Sequence, residues 1–264
     1  MLSKLLKYDL KYMIKNMSVF YILAIFFAIT TRLLSLPEQS IMIDILRRIS
    51  SGCVIAMIAN IVINVMMRSW VRFRDSIYKD ESYLTHTLPV TKNDIYNSKL
   101  LQTLIFFFIG FIVVLFALFI AYYTPDTWHA IKEYIKNITI GFNMSTAFFI
   151  TMFIAIVFLE IFNAIQCGFL GIILGYKKNN GKLGFSVLFG FIAYLLSQSM
   201  VLGLVFAYGL FDSTVMELFK TATISIDVNA FKTLAVLSSI LYIVLIFVMS
   251  LLSKKILNKG VNVE

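Results

Sequence analysis

The sequence predicts an all-α polytopic membrane protein, with six transmembrane helices, an N-terminal amphipathic elbow helix and both termini in the cytoplasm. Three observations carry this. Mean hydropathy is +0.88 and 60% of the 264 residues are apolar, 25 of them phenylalanine. Apolar runs near or above the ~18–20 residues needed to cross a bilayer recur along the chain. Lysine and arginine gather in the segments that a six-span alternation places on one side of the membrane. A transmembrane β-barrel is excluded, since its segments would be ~10 residues of alternating polarity.

Residues 1–17 read as an amphipathic interfacial helix. Leu2, Leu5, Leu6, Leu10, Met13 and Met17 recur at helical spacing, with Lys4, Lys7, Lys11 and Lys15 opposite. Such a helix lies in the cytoplasmic interface with its lysines toward the headgroups of membrane lipid. Asp9 falls on the apolar side. Either it snorkels or pairs with a neighbouring lysine, or this side faces protein and Asp9 bonds a polar group there.

Residues 18–252 form the transmembrane domain. Its spans are about Ser18–Leu36, Ile49–Met67, Leu100–Tyr123, Met144–Leu174, Gly184–Tyr208 and Phe231–Leu252. Between the second and third lies the 68–99 loop, and residues 253–264 are a cytoplasmic tail. The basic residues Lys4 to Lys15, Arg68, Arg72, Arg74, Lys79, Lys92, Lys99, Lys177, Lys178, Lys182, Lys254, Lys255 and Lys259 all fall on one predicted side. The positive-inside rule makes that side the cytoplasm of a multi-pass protein of the cell membrane. The net charge of +9 is therefore topological and implies no nucleic acid. The outer loops, about 124–143 and 209–230, leave no room for a receptor domain.

Chemistry-bearing motifs are sparse. Gly175 to Leu183 resembles a phosphate-binding loop, but five residues rather than four separate its glycines. Leu183 also stands where a hydroxyl should ligate magnesium. It reads as a basic turn. His86 and His129 are the only histidines and fall on opposite predicted sides of the membrane. Neither H-E-x-x-H nor G-x-S-x-G occurs. Cys53 and Cys167 both fall inside spans and offer neither a disulfide framework nor metal spacing. No catalytic or metal site, and no cofactor held by this chain, is expected.

Polar residues within spans carry more information. A charge at the bilayer centre costs ~2.5–3.5 kcal/mol on insertion scales. Glu160 sits in mid-run, with Asn163 along the same side and Gln166 at its edge; Asn60 and Asn64 share a side of the second span. They are either a substrate path or interhelical hydrogen bonds worth ~0.6–2 kcal/mol each. Pairing of Glu160 with a basic residue such as Arg68 is a third reading. Gly168, Gly171 and Gly175 share one side of the fourth span and allow close helix approach.

The segment 81–99, ESYLTHTLPVTKNDIYNSK, is the most definite polar module. Ser69–Tyr78 continues the second span as a helix. Asp80–Thr85 suits a short amphipathic helix presenting Tyr83 and Leu84, and Pro89 stops it. Thr91 and Asp94 then make a capping box that starts the helix leading into the third span.

Tyr83-Leu84-Thr85-His86-Thr87-Leu88-Pro89-Val90-Thr91, with Ser98-Lys99 before a span, resembles the cytoplasmic loop of bacterial ABC-2-type transporter permeases. The segment LLKYDLKYMIKN resembles that family's elbow helix. The resemblance covers the six-span layout, with motif detail in about 35 residues. It implies a permease subunit paired with a second copy or a sister permease. Each half would be served by a separate cytoplasmic ATPase that holds ATP and Mg, so this chain is no enzyme. It implies further that Asp80, Glu81, Tyr83, Leu84 and Thr85 form a coupling helix docking on the ATPase, with Leu88 and Pro89 fixing its turn. An exporter is expected, its substrate an amphipathic or antimicrobial peptide, an antibiotic or a lipid. The alternatives are an ion-coupled secondary transporter using Glu160 and a non-transporting membrane sensor.

Overall fold

A computed structural model describes residues 2–36, 40–79, 81–213, 215–216 and 228–260, apart from the side chains of His86 and Val228. The described chain is all α-helix and turn. In order, α1 is Leu2–Leu33, α2 Ile41–Tyr78, α3 Ser82–Thr87, α4 Lys92–Tyr122, α5 Pro125–Gly141, α6 Thr146–Gly175, α7 Lys182–Gly209 and α8 Val228–Asn258. Six of these, all but α3 and α5, are long and apolar enough to cross a membrane. Three of the predicted spans lie wholly within them and the other three overrun a helix end by one to three residues, and the chain is built as a multi-pass membrane protein.

The helices begin where local chemistry allows. The Thr91 hydroxyl accepts the Asp94 N–H and donates to its carboxylate at 2.8 Å, which closes the first turn of α4. Ser145 caps α6 by accepting the Phe148 N–H at 3.3 Å. Gly181 precedes α7 at φ +65°, a left-handed conformation that glycine adopts without penalty. The stretch that resembles a phosphate loop is thus the turn between α6 and α7, with no strand before it.

Two expectations change. The amphipathic helix at 1–17 does not end there, because α1 runs unbroken from Leu2 to Leu33. No glycine or proline interrupts it, and one buried stripe, Asp9–Met13–Met17–Ala24–Ala28–Thr31, passes through both parts. Lys4, Lys7, Lys11 and Lys15 are exposed as expected. The outer loop at 124–143 is largely helix. Pro125 opens α5 at a position where its missing N–H costs nothing, and the Thr124 hydroxyl accepts the Thr127 N–H at 3.0 Å.

The chain divides into two compact units, one of residues 2–130 and one of residues 131–260. In the first, α1, α2 and α4 pack on one another and α3 packs on α2. Its core includes Ala28, Val54, Ala117 and Ala121, flanked by Phe27, Ile58, Ile120 and Tyr122. Hydroxyls stitch the same region, Thr31 to Ser50 at 2.9 Å and Ser51 to Tyr122 at 2.6 Å. At 38 residues α2 is ~57 Å long against a hydrocarbon core of ~30 Å, so much of it projects beyond the apolar layer.

In the second unit α6 packs against α7 and α8, around Cys167, Leu170 and Ala193. Two glycines set the α6–α7 spacing. A Cβ on Gly171 would lie 2.6 Å from the Ser186 carbonyl oxygen, and one on Gly175 would lie 2.5 Å from the Ser186 Cα. Backbone meets backbone there.

Candidate functional site: a buried charge network beneath a short helix

α2 carries a polar residue pattern into its last turns without losing its buried face: Ser69, Arg72, Phe73, Ser76, Ile77 and Tyr78 are all buried. The chain then leaves the helix at Lys79 in an extended conformation, and the Ser82 N–H returns to the Lys79 carbonyl at 2.7 Å. α3 follows for six residues. Leu88 is extended (φ −69°, ψ 140°) because Pro89 excludes the α region for its predecessor. Phe73 and Tyr96, both fully buried, meet edge to face with ring centres 6.0 Å apart and pin the end of α2 to the start of α4.

Within this frame four charges alternate in sign. Asp9 on α1 is 2% exposed, and its Oδ1 accepts the Arg72 Nε at 3.0 Å and the Lys99 Nζ at 2.5 Å. Its Oδ2 accepts the Ser98 hydroxyl at 2.9 Å. Arg72 turns its other edge to Glu81, Nη1 to Oε2 at 2.5 Å, and lays its guanidinium over the Tyr12 ring at 4.6 Å. The order is Glu81, Arg72, Asp9, Lys99, two negative and two positive. Burying such groups is costly unless each is paired and hydrogen-bonded. Here the pairing is complete, so the network holds α1, α2 and α4 in one arrangement and ties the entry of α3 to all three.

The outer surface of α3 has the opposite character. Tyr83 is 70% exposed and Leu84 73% exposed, with Leu88 beside them also exposed. Thr85 spends its hydroxyl on the Glu81 carbonyl at 2.9 Å. Glu81, half-exposed, faces inward to Arg72 rather than outward, and Pro89 is exposed. Asp80 lies outside the described residues.

For Asp9, the structure selects the reading in which its side of the helix faces protein. Arg72, read from sequence only as a topological charge, and Lys99, read as that and as part of the loop's resemblance, are buried members of the network. Their spacing carried the signal. Lys99 stands three residues after Tyr96 and four before Thr103, on the buried face of α4, and Arg72 falls three after Ser69 on that of α2.

The polar residues of the spans separate into two groups. The Asn60 and Asn64 amides donate at 2.9 Å to the carbonyls of Ala56 and Asn60, one turn back on their own helix. Neither bond crosses to another helix. Asn163 does cross, its Nδ2 donating to the Ser197 hydroxyl of α7 at 2.7 Å. Gln166 is fully buried on the same helix. Glu160 is half-buried, and among the described residues of its own unit its carboxylate forms no ion pair with a base; Arg68 belongs to the other unit. The Tyr194 hydroxyl of α7 stands within hydrogen-bonding reach of it.

Fold and geometry together define a multi-pass helical membrane protein with a charge-tied short helix in one unit and a half-buried carboxylate within a span of the other. No family model matches the chain, and neither a curated protein nor a solved structure matches it.

Proposed function

We propose that the chain is the permease subunit of an ATP-driven exporter of the ABC-2 type, set in the cell membrane with its termini and α3 in the cytoplasm. The observation that carries this reading is the pairing of an exposed apolar tip with a rigid root. Tyr83 and Leu84 face outward from a six-residue helix whose entry is bonded through Glu81 and Arg72 to Asp9 and Lys99. A loop without a partner has no need of such a root. A loop that transmits a push does, because displacing α3 must then move α1, α2 and α4 together. Mechanical switching of this kind, by helices that shift as bodies, is a recurrent way to change a membrane path.

On this reading ATP and Mg belong to a separate cytoplasmic ATPase docked on α3, and this chain performs no hydrolysis. Two permeases and two ATPases make the working assembly. The substrate class is an amphipathic or antimicrobial peptide, an antibiotic or a lipid.

The test is a mild-detergent pull-down of the tagged chain from its host with an ATPase assay on the eluate. A Walker-motif ATPase recovered at one per permease, and lost in the double variant Tyr83→Ala and Leu84→Ala, supports the reading. A chain that elutes alone, or an ATPase indifferent to those residues, contradicts it.

The second reading, an ion-coupled transporter, is favoured by the half-buried Glu160 carboxylate in the middle of α6. It requires transport to stop in Glu160→Gln and to ignore ATP. A non-transporting sensor would show no flux under either condition.

A further inference from the structure

We propose that the region around Glu160 between α6, α7 and α8 binds the protonated amine of an amphipathic molecule. Glu160 stands 14 residues into α6, ~20 Å of helix from its start. Tyr194 and Tyr242 occupy similar mid-helix positions on α7 and α8. The three helices therefore bring their polar groups to one depth, far from the lysines at their ends.

The groups present suit an ammonium better than any other ligand. The half-buried carboxylate supplies the charge and has no base of its own. The buried Tyr242 donates to the Gln198 Oε1 at 3.3 Å. Asn163, fully buried, gives its N–H to Ser197 and keeps its Oδ1 without a partner among the described residues. That oxygen can accept from an amine N–H. The Gln198 Nε2, likewise unpartnered, can donate to a carbonyl of the same ligand. An anion would meet Glu160 as a repelling charge, and a purely apolar ligand would leave these polar atoms unsatisfied.

This inference names the substrate class of the proposed exporter and rests on that reading for its role, but not for its measurement. The full chain in nanodiscs of neutral phosphatidylcholine is titrated with dansylcadaverine, a fluorescent amphipathic primary amine, and with its N-acetylated, uncharged counterpart. Empty nanodiscs give the partition baseline. The wild-type chain should prefer the amine by about tenfold, the scale of one charge pair in a partly screened site. Glu160→Gln should lose that preference while retaining affinity for the acetylated form, with its thermal unfolding unchanged. A wild-type chain without preference, or a folded Glu160→Gln that keeps it, overturns the proposal.

A measurement on the wild type alone also decides. Consumption of Glu160 by dicyclohexylcarbodiimide, read by mass spectrometry as the acylurea and any amide formed with the amine counted together, should be slowed by dansylcadaverine and not by the acetylated compound; equal slowing by both, or no slowing by either, overturns the proposal. No ATPase takes part in these experiments. A failed pull-down would remove the exporter reading and leave this site standing, and the reverse also holds.

Discussion

Asp9 and Lys99, 90 residues apart in the chain, meet at 2.5 Å in a site that excludes water from both. The contact joins the first helix to the fourth, and Arg72 extends it to the second helix and to the entry of α3. Its strength lies in completeness, since every charge in the row has a neighbour of opposite sign.

Removing Asp9 leaves Lys99 as the orphan, because Arg72 retains Glu81. Asp9→Ala should therefore cost ~3–5 kcal/mol, the usual penalty for breaking one side of a buried pair. Adding Lys99→Met removes the stranded charge, so the double variant should be more stable than Asp9→Ala alone. Thermal unfolding in nanodiscs reads both. A double variant less stable than the single would mean that Lys99 has another role in the fold.

Glu81 behaves differently because it is 46% exposed. Glu81→Gln should change stability by no more than ~1 kcal/mol, while weakening retention of the proposed ATPase, since α3 loses its tie to Arg72. Unfolding temperature and pull-down yield, measured on the same preparation, separate the two effects. Unchanged yield would show that the tie does not orient α3.

In the second unit, Gly171→Ala and Gly175→Ala push a methyl group into the α7 backbone and should cost ~1–3 kcal/mol each through overpacking. Gly184→Ala meets nothing within 4 Å and should be neutral or stabilising by up to ~1 kcal/mol through helix propensity. Equal effects at the three positions would contradict the close α6–α7 approach.

Asn163→Ala should cost ~0.6–2 kcal/mol through loss of its bond to Ser197 on the neighbouring helix. Asn60→Ala should cost less than ~0.5 kcal/mol, because its bond is to its own helix. Comparison of unfolding temperatures checks the difference, which vanishes if Asn60 holds a neighbour instead.

Much of this was legible in advance. Six apolar runs and the Lys and Arg bias outline the spans, since the bilayer imposes length and composition on each helix. Pro89 and the Thr91–Asp94 cap mark the boundaries of α3 and α4 through local chemistry alone. Asp9 stood out because a charge on an apolar stripe demands a partner. That partner was hidden, because Arg72 and Lys99 lie among other basic residues and only their helical phase distinguishes them. The helix α5 was legible in principle, with Pro125 at its start and Trp128, Ile131, Ile135 and Ile138 at helical spacing. Whether an in-span asparagine bonds its own helix or the next depends on side-chain direction, which spacing does not determine.

The central claim, that α3 is the docking point of an ATPase, is tested most directly by placing the photo-crosslinker p-benzoylphenylalanine at Leu84 in the host cell. Ile63, exposed on α2 within the second apolar run, serves as the control position. The account predicts an adduct to a Walker-motif ATPase from position 84 and none from position 63. Adducts from position 84 to lipid alone, or to a protein without an ATP site, would contradict it.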